Sequence, residues 1–156
     1  MLVRQAKPDE LAAIYLMGFD VWGEDLSHHD YLIECHSSDK YALGSWYVLL
    51  VDSVPVASLI VYAAQFGLAP QCYGIGSVAT ASEHRGKGYA SQLVQSVTHA
   101  LLEEKNAEAV FLHADISLGF YARLGYQCLQ NTACMGRFKA SVSHPADYLG
   151  ALPTYF

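Results

Sequence analysis

The residues with the most chemical promise lie together in Tyr73–Lys105, which reads YGIGSVATASEHRGKGYASQLVQSVTHALLEEK. Arg85, Gly86, Lys87 and Gly88 stand between an apolar, β-like run and an amphipathic segment. On that segment Ala90, Leu93, Val94, Val97, Ala100 and Leu101 recur at helical spacing. The first N–H groups of a helix lack internal partners and carry the positive end of its dipole, so strand, glycine turn and helix start make an anion site. Glycines let a phosphate approach the backbone closely, and Arg85 and Lys87 add charge beside it. The chemistry predicted is the holding of a pyrophosphate.

Spacing narrows the kind of site. A Walker loop needs G-x-x-x-x-G-K-[ST], and Lys87 is followed by Gly88. A dinucleotide fingerprint can be laid over Gly74–Ala79 only by putting its glycines inside the apolar run, and no repeating βαβ unit follows.

The elements that must position this turn can be read along the chain. Leu2–Gln5 is predicted as a strand. Pro8-Asp9-Glu10 opens a helix buried through Leu11, Ile14, Tyr15 and Phe19, and a second helix covers about Leu26–Ser37. Ser45–Asp52 and Pro55–Ala64 read as strands joined by a tight turn at Asp52-Ser53. Ala109–His113 has the form of a buried strand. Asp115 is the expected cap of a helix ending at Gly125. Tyr126–Gln130 and Cys134–Phe138 form a hairpin about Asn131-Thr132, and Ala140–Phe156 is an irregular, aromatic-tipped tail. The order β-αα-βββ-α-β-α-ββ predicts an α/β layered domain with a mixed sheet.

The chain has 156 residues, 53% hydrophobic and 15% charged, which fits one packed domain. Its formal charge of −6 argues against a nucleic-acid partner and leaves room for a cationic one. No apolar run approaches the ~20 residues that span a bilayer, and no signal-peptide core opens the chain, so a cytoplasmic protein is expected. Cys35, Cys72, Cys128 and Cys134 show no C-x-x-C pairing and read as free thiols. Asp25 and His29 share a helical face, but no further His or Cys completes a ligand set there, so no metal site is expected.

Val78–Ala90, VATASEHRGKGYA, resembles the acetyl-CoA-binding motif of the GNAT superfamily of N-acetyltransferases, whose core is [Q/R]-x-x-G-x-[G/A]. Gly86 and Gly88 occupy the two small positions and Arg85 the usual basic one before them. Glu83 stands where the strict pattern has Gln or Arg. Phe120–Tyr126, FYARLGY, resembles the superfamily's later F-Y-x-x-L-G-[F/Y] segment. With the matching element order, the resemblance covers nearly the whole chain.

It implies a single acetyltransferase-like domain over 1–156. The central sheet would be mixed, mostly antiparallel and splayed between two strands, with helices on both faces. It further implies acetyl-CoA as cosubstrate and direct transfer of its acetyl group to a primary amine in a ternary complex. Val78, Ala79 and Thr80 would contact pantetheine, and Arg85, Gly86, Lys87, Gly88, Tyr89 and Ala90 the pyrophosphate. Gly74 and Gly76 suit a bulge opening the splay. Tyr121 would protonate the departing thiolate, since a phenol is protonated at neutral pH. For the base, the strand region offers one acid, Asp52, in a turn. His113 is the candidate carried forward, beside Glu24, His28 or a held water. The cofactor-contacting asparagine common in the family is Ala114 here. An acidic, His-bearing rim would favour a cationic acceptor, and the aromatic tail would close over substrate or pack a partner in a homodimer; a monomer is the other expectation. A non-catalytic acyl-CoA sensor of the same fold is the alternative. The residues do not name the acceptor.

Overall fold

A computed structural model describes residues 1–141 and 150–156. Its strands are β1 (Leu2–Gln5), β2 (Ser45–Val51), β3 (Val54–Ala63), β4 (Cys72–Thr80), β5 (Ala109–His113), β6 (Gln127–Cys128) and β7 (Cys134–Phe138). They are hydrogen-bonded in the order β1-β2-β3-β4-β5-β7-β6. β4 and β5 run parallel, whereas β1–β2, β5–β7 and β7–β6 run antiparallel. The helices are α1 (Leu11–Leu16), α2 (Phe19–Trp22), α3 (His28–His36), α4 (Asp39–Ala42), α5 (Tyr89–His99) and α6 (Leu118–Ala122). No helix of the described residues is long and apolar enough to cross a membrane. By contact the chain divides into two compact units, Met1–Ile60 with Ser77–Val94 and Val61–Gly76 with Gln95–Phe156.

In the first unit, β2 and β3 are joined through Asp52 (φ 50°) and Ser53 (φ 64°), the left-handed pair of a type I′ turn that suits strand twist. The helix expected after Pro8 is broken into pieces. Pro8–Glu10 is a 3₁₀ turn, and the Glu10 carboxylate accepts from the Lys7 amide (2.8 Å) and from both Arg4 terminal nitrogens (2.9 and 2.6 Å). α1 buries Ile14 and Tyr15, then the chain restarts as α2 beyond Gly18, where a Cβ would lie 2.1 Å from the Trp22 ring. α3 begins two residues later than the spacing suggested, because the Ser27 hydroxyl caps it by accepting from the Asp30 amide at 3.1 Å. Ser38 caps the short α4 in the same way, and Tyr15, Tyr41 and Trp46 form an aromatic cluster beneath.

In the second unit, the antiparallel ladder from Ala109↔Phe138 to His113↔Cys134 holds β5 against β7, and β5 is buried except at His113. Ser117, not Asp115, caps α6: its hydroxyl accepts from the Phe120 amide at 3.0 Å. Asp115 instead accepts from the Tyr155 hydroxyl. α6 ends at Ala122, short of the expected Gly125, which closes the following turn with a φ of 88°. β6 is shorter than the strand expected over Tyr126–Gln130, since Gln130 and Asn131 already turn with positive φ. Beyond His99 the helical segment widens into a π-turn over Ala100–Glu104, closed by the Lys105 amide on the Ala100 carbonyl (3.1 Å).

Part of the Ala140–Phe156 tail, 142–149 with Pro145, lies outside the described residues. The rest is a packed element of its own unit. Phe156 is 2% exposed, its ring 4.8 Å from that of His113 and 5.6 Å from that of Tyr62. The Thr154 amide donates to the Phe66 carbonyl at 2.8 Å. The tail tip is thereby anchored through Phe156, while Tyr155 beside it stays exposed.

Candidate active site

The cradle is built from the end of β4, the turn after it and the start of α5. β4 pairs with β5 from Cys72↔Ala109 as far as Ile75↔Leu112, and then runs on to Thr80. Ser77–Thr80 are half-buried, so the backbone and side chains of Val78, Ala79 and Thr80 keep part of their surface open. The left-handed residue that marks the change is Ser77 (φ 49°), and neither Gly74 nor Gly76 has a positive φ. Gly74 has a different reason to be glycine: a Cβ there would lie 2.5 Å from the Phe156 ring. Ser77 thus sits in a left-handed backbone region whose cost is about 1–3 kcal/mol.

After a 3₁₀ turn over Ser82–His84 the chain reverses through Gly86 (φ 77°) and Gly88 (φ 79°) into α5. A Cβ at either glycine would meet nothing within 4 Å. Conformation therefore demands these glycines, and the space above them is open. Among the described residues the amides of Gly86, Lys87 and Gly88 donate to no backbone carbonyl. They precede the first turn of an α5 whose apolar side is anchored by buried Leu93, Val94 and Val97. Open amides at a helix start, fixed by a buried helix, are what an anion needs. Tyr89 and Ala90 sit half-buried at that start, and the Lys87 ammonium lies 3.5 Å from both the Glu83 carbonyl and His84 Nδ1.

Arg85 is also tied to other stretches of its own unit. Its guanidinium turns inward, donating to both Asp20 carboxylate oxygens (2.5 and 2.8 Å), to the Met17 carbonyl (3.2 Å) and through Nε to the Thr80 carbonyl (3.1 Å). The pair holds the Asp20 carboxyl below the usual carboxylate range, chiefly through the hydrogen bond from Arg85. Asp20 carried no signal in the sequence, because its partner lies far along the chain. Met17, Phe19, Asp20, His28, Glu83 and Arg85 are among the residues around a pocket of about 510 Å³. His28 packs edge-on to Phe19 there at 4.2 Å, whereas Glu24 is exposed with a φ of 47°.

Tyr121 belongs to the other unit, on α6. It is 2% exposed, and burial, with Asp115 adding negative potential, pushes its phenol above the ordinary value, so it is protonated at neutral pH. His113, closing β5, has Nε2 3.1 Å from the Thr154 carbonyl, and its ring lies against Tyr155 and Phe156. A carbonyl can only accept, so this contact makes Nε2 the protonated nitrogen. Ala114, at the family's asparagine position, uses its amide on the Ala133 carbonyl (3.0 Å).

A mixed sheet with this glycine turn at a helix start matches the arrangement expected of the acetyltransferase class. The sequence matches the acetyltransferase (GNAT) family over residues 9–126, and the chain belongs to that family. Among curated proteins no match is found. Solved structures share the fold. A GNAT family acetyltransferase from Brucella melitensis, in complex with acetyl-CoA, is 18% identical with a TM-score of 0.65, over 99% of this chain and 92% of that one. The Escherichia coli GNAT protein YhbS, in complex with CoA, is 20% identical with a TM-score of 0.65, over 88% and 80%. A spermidine N-acetyltransferase chimera of Vibrio cholerae SpeG and hSSAT is 15% identical with a TM-score of 0.61, over 88% and 96%.

Proposed function

We propose that residues 1–156 act as one N-acetyltransferase domain that moves the acetyl group of acetyl-CoA directly to a primary amine. The observation that carries this reading is the Arg85–Ala90 turn, with two positive-φ glycines under open space and unclaimed amides leading into α5. Those amides would hold the pyrophosphate, and the Lys87 ammonium would supply nearby charge. Val78, Ala79 and Thr80 would align the pantetheine arm. Family membership, and complexes of fold relatives with acetyl-CoA or CoA, support the same cosubstrate.

In the reaction the amine nitrogen attacks the thioester carbonyl carbon, a C–N bond forms and the C–S bond breaks. Tyr121, kept neutral by burial, gives its proton to the leaving thiolate. His113, at the end of β5, is the residue carried forward to take the proton lost by the amine, directly or through a held water. The acceptor class is an amine, to which the chain's −6 charge is hospitable when it is cationic. Four free cysteines suit a reducing, cytoplasmic setting.

The test is thiol release from acetyl-CoA across a panel of polyamines, aminoglycosides and peptides, with CoA affinity titrated in parallel. Tyr121→Phe is expected to lower kcat by about 100-fold while leaving CoA affinity intact. CoA binding with no release for any amine would overturn catalysis in favour of an acyl-CoA sensor.

A further inference from the structure

We propose that Asp20 is a positioning residue for the cofactor turn, acting through Arg85. This inference rests on the acetyl-CoA reading above and concerns how the chain holds the turn that reading uses.

The turn has little else to fix it. Gly86 and Gly88 carry no side chains, nothing packs over their Cβ positions, and glycine is the residue with the most backbone freedom to lose. The Lys87 side chain reaches only to contacts of 3.5 Å. Arg85, by contrast, commits four hydrogen bonds, to Thr80 at the end of β4, to Met17 just beyond α1, and two to the Asp20 carboxylate on α2. The residue immediately before the two glycines is thereby tied to three separate stretches of its unit. The carboxylate decides where the planar fork points, since a bidentate pair fixes both distance and orientation. With Asp20 removed, two neutral carbonyls remain, and the half-exposed guanidinium is free to turn to water or to the anion itself. The amides of Gly86–Gly88 would then have to be ordered at the moment of binding, which costs affinity.

The geometry makes the effect selective. Asp20 acts on the turn for the pyrophosphate and reaches the strand end Val78–Thr80 only through the single Arg85 Nε bond to the Thr80 carbonyl. Its loss should therefore weaken ligands that carry a pyrophosphate and spare those that lack one. CoA and pantetheine are accordingly titrated by calorimetry into the wild type and the Asp20→Ala, Asp20→Asn and Asp20→Glu variants, with thermal melts alongside. The expected result is a Kd for CoA raised about tenfold in Asp20→Ala and Asp20→Asn, of the order of one charged hydrogen bond. Pantetheine affinity should be unchanged, and Asp20→Glu should recover much of the loss. In the Arg85→Ala background, Asp20→Ala should add nothing further. A CoA affinity that matches the wild type in Asp20→Ala and Asp20→Asn would overturn the proposal, as would an equal loss for pantetheine. A wild-type protein that does not bind CoA fails differently, sinking the cofactor reading itself.

Discussion

Gly74 offers a sharp test of how the Phe156 end of the chain is held. A Cβ built at this position falls 2.5 Å from Phe156 Cζ and 2.9 Å from both Cε atoms, inside the contact distance real side chains keep. Gly74 has no positive φ, so alanine fits its backbone and the penalty must come from the ring. Phe156 cannot simply swing away, because it is 2% exposed and bounded by the rings of Tyr62, Phe66 and His113. Forcing one methyl into such a site costs about 1–3 kcal/mol. At ~2–4 °C per kcal/mol for a chain of this size, Gly74→Ala should lower Tm by ~2–12 °C. Phe156→Ala alone should cost more, about 3–5 kcal/mol, by emptying the slot. The combination carries the argument: in the Phe156→Ala background, Gly74→Ala should stabilise by ~0.5 kcal/mol, since it restricts the unfolded chain and now meets no ring. Thermal and urea melts of the four proteins measure the coupling. If Gly74→Ala costs as much without the ring as with it, the slot is not what keeps residue 74 a glycine.

Two further outcomes follow from local geometry. The Arg4 guanidinium, helped by the Lys7 amide, pulls the Glu10 carboxyl down to about 2. Its folded pKa is below its unfolded one, so the pair's stabilisation is complete above about pH 4.3 and fades as the pH falls toward 2. The wild type should lose about 1 kcal/mol more than Glu10→Gln across that interval in acid melts; parallel curves would refute the pair's role. At the turn, Gly86→Ala meets no neighbour but must hold a φ of 77°, a strain of ~1–2 kcal/mol. It should weaken CoA binding in a titration, whereas Gly86→Asp adds like charge and should abolish it. Unchanged affinity in both would sink the turn as the anion site.

Much of this was legible because it is local. The glycine turn, the stripe Leu93, Val94, Val97 and Leu101, the Asp52-Ser53 turn and the strand Ala109–His113 are all encoded by neighbours in sequence, and the structure has them. What escaped is set by residues far apart in the chain. Asp20 left no signal because its partner Arg85 lies 65 residues along the chain. The crowding at Gly74 left no signal because Phe156, the ring that needs the space, lies at the other end of the sequence. Asp115 and Ser117 are both competent caps, and only the placement of Tyr155 assigns the aspartate elsewhere. α4 was missed because a helix as short as Asp39–Ala42 shows too little periodicity, although Ser38 marked its start.

The π-turn over Ala100–Glu104 has a consequence for how this chain tolerates changes in length. It widens one turn of the helix, so that the sequence neighbours Leu101 and Leu102 are both buried, at 2% and 5% exposure. An ordinary α-helix sets successive side chains about 100° apart. Deleting one residue of the turn would remove the extra residue and let α-geometry resume, leaving the side chains on either side close to their present orientation. A single-residue deletion within Tyr89–His99 has no such slack and would rotate everything after it by roughly that angle. The slack for length changes in this helix therefore lies in Ala100–Glu104, at the end away from the anion site.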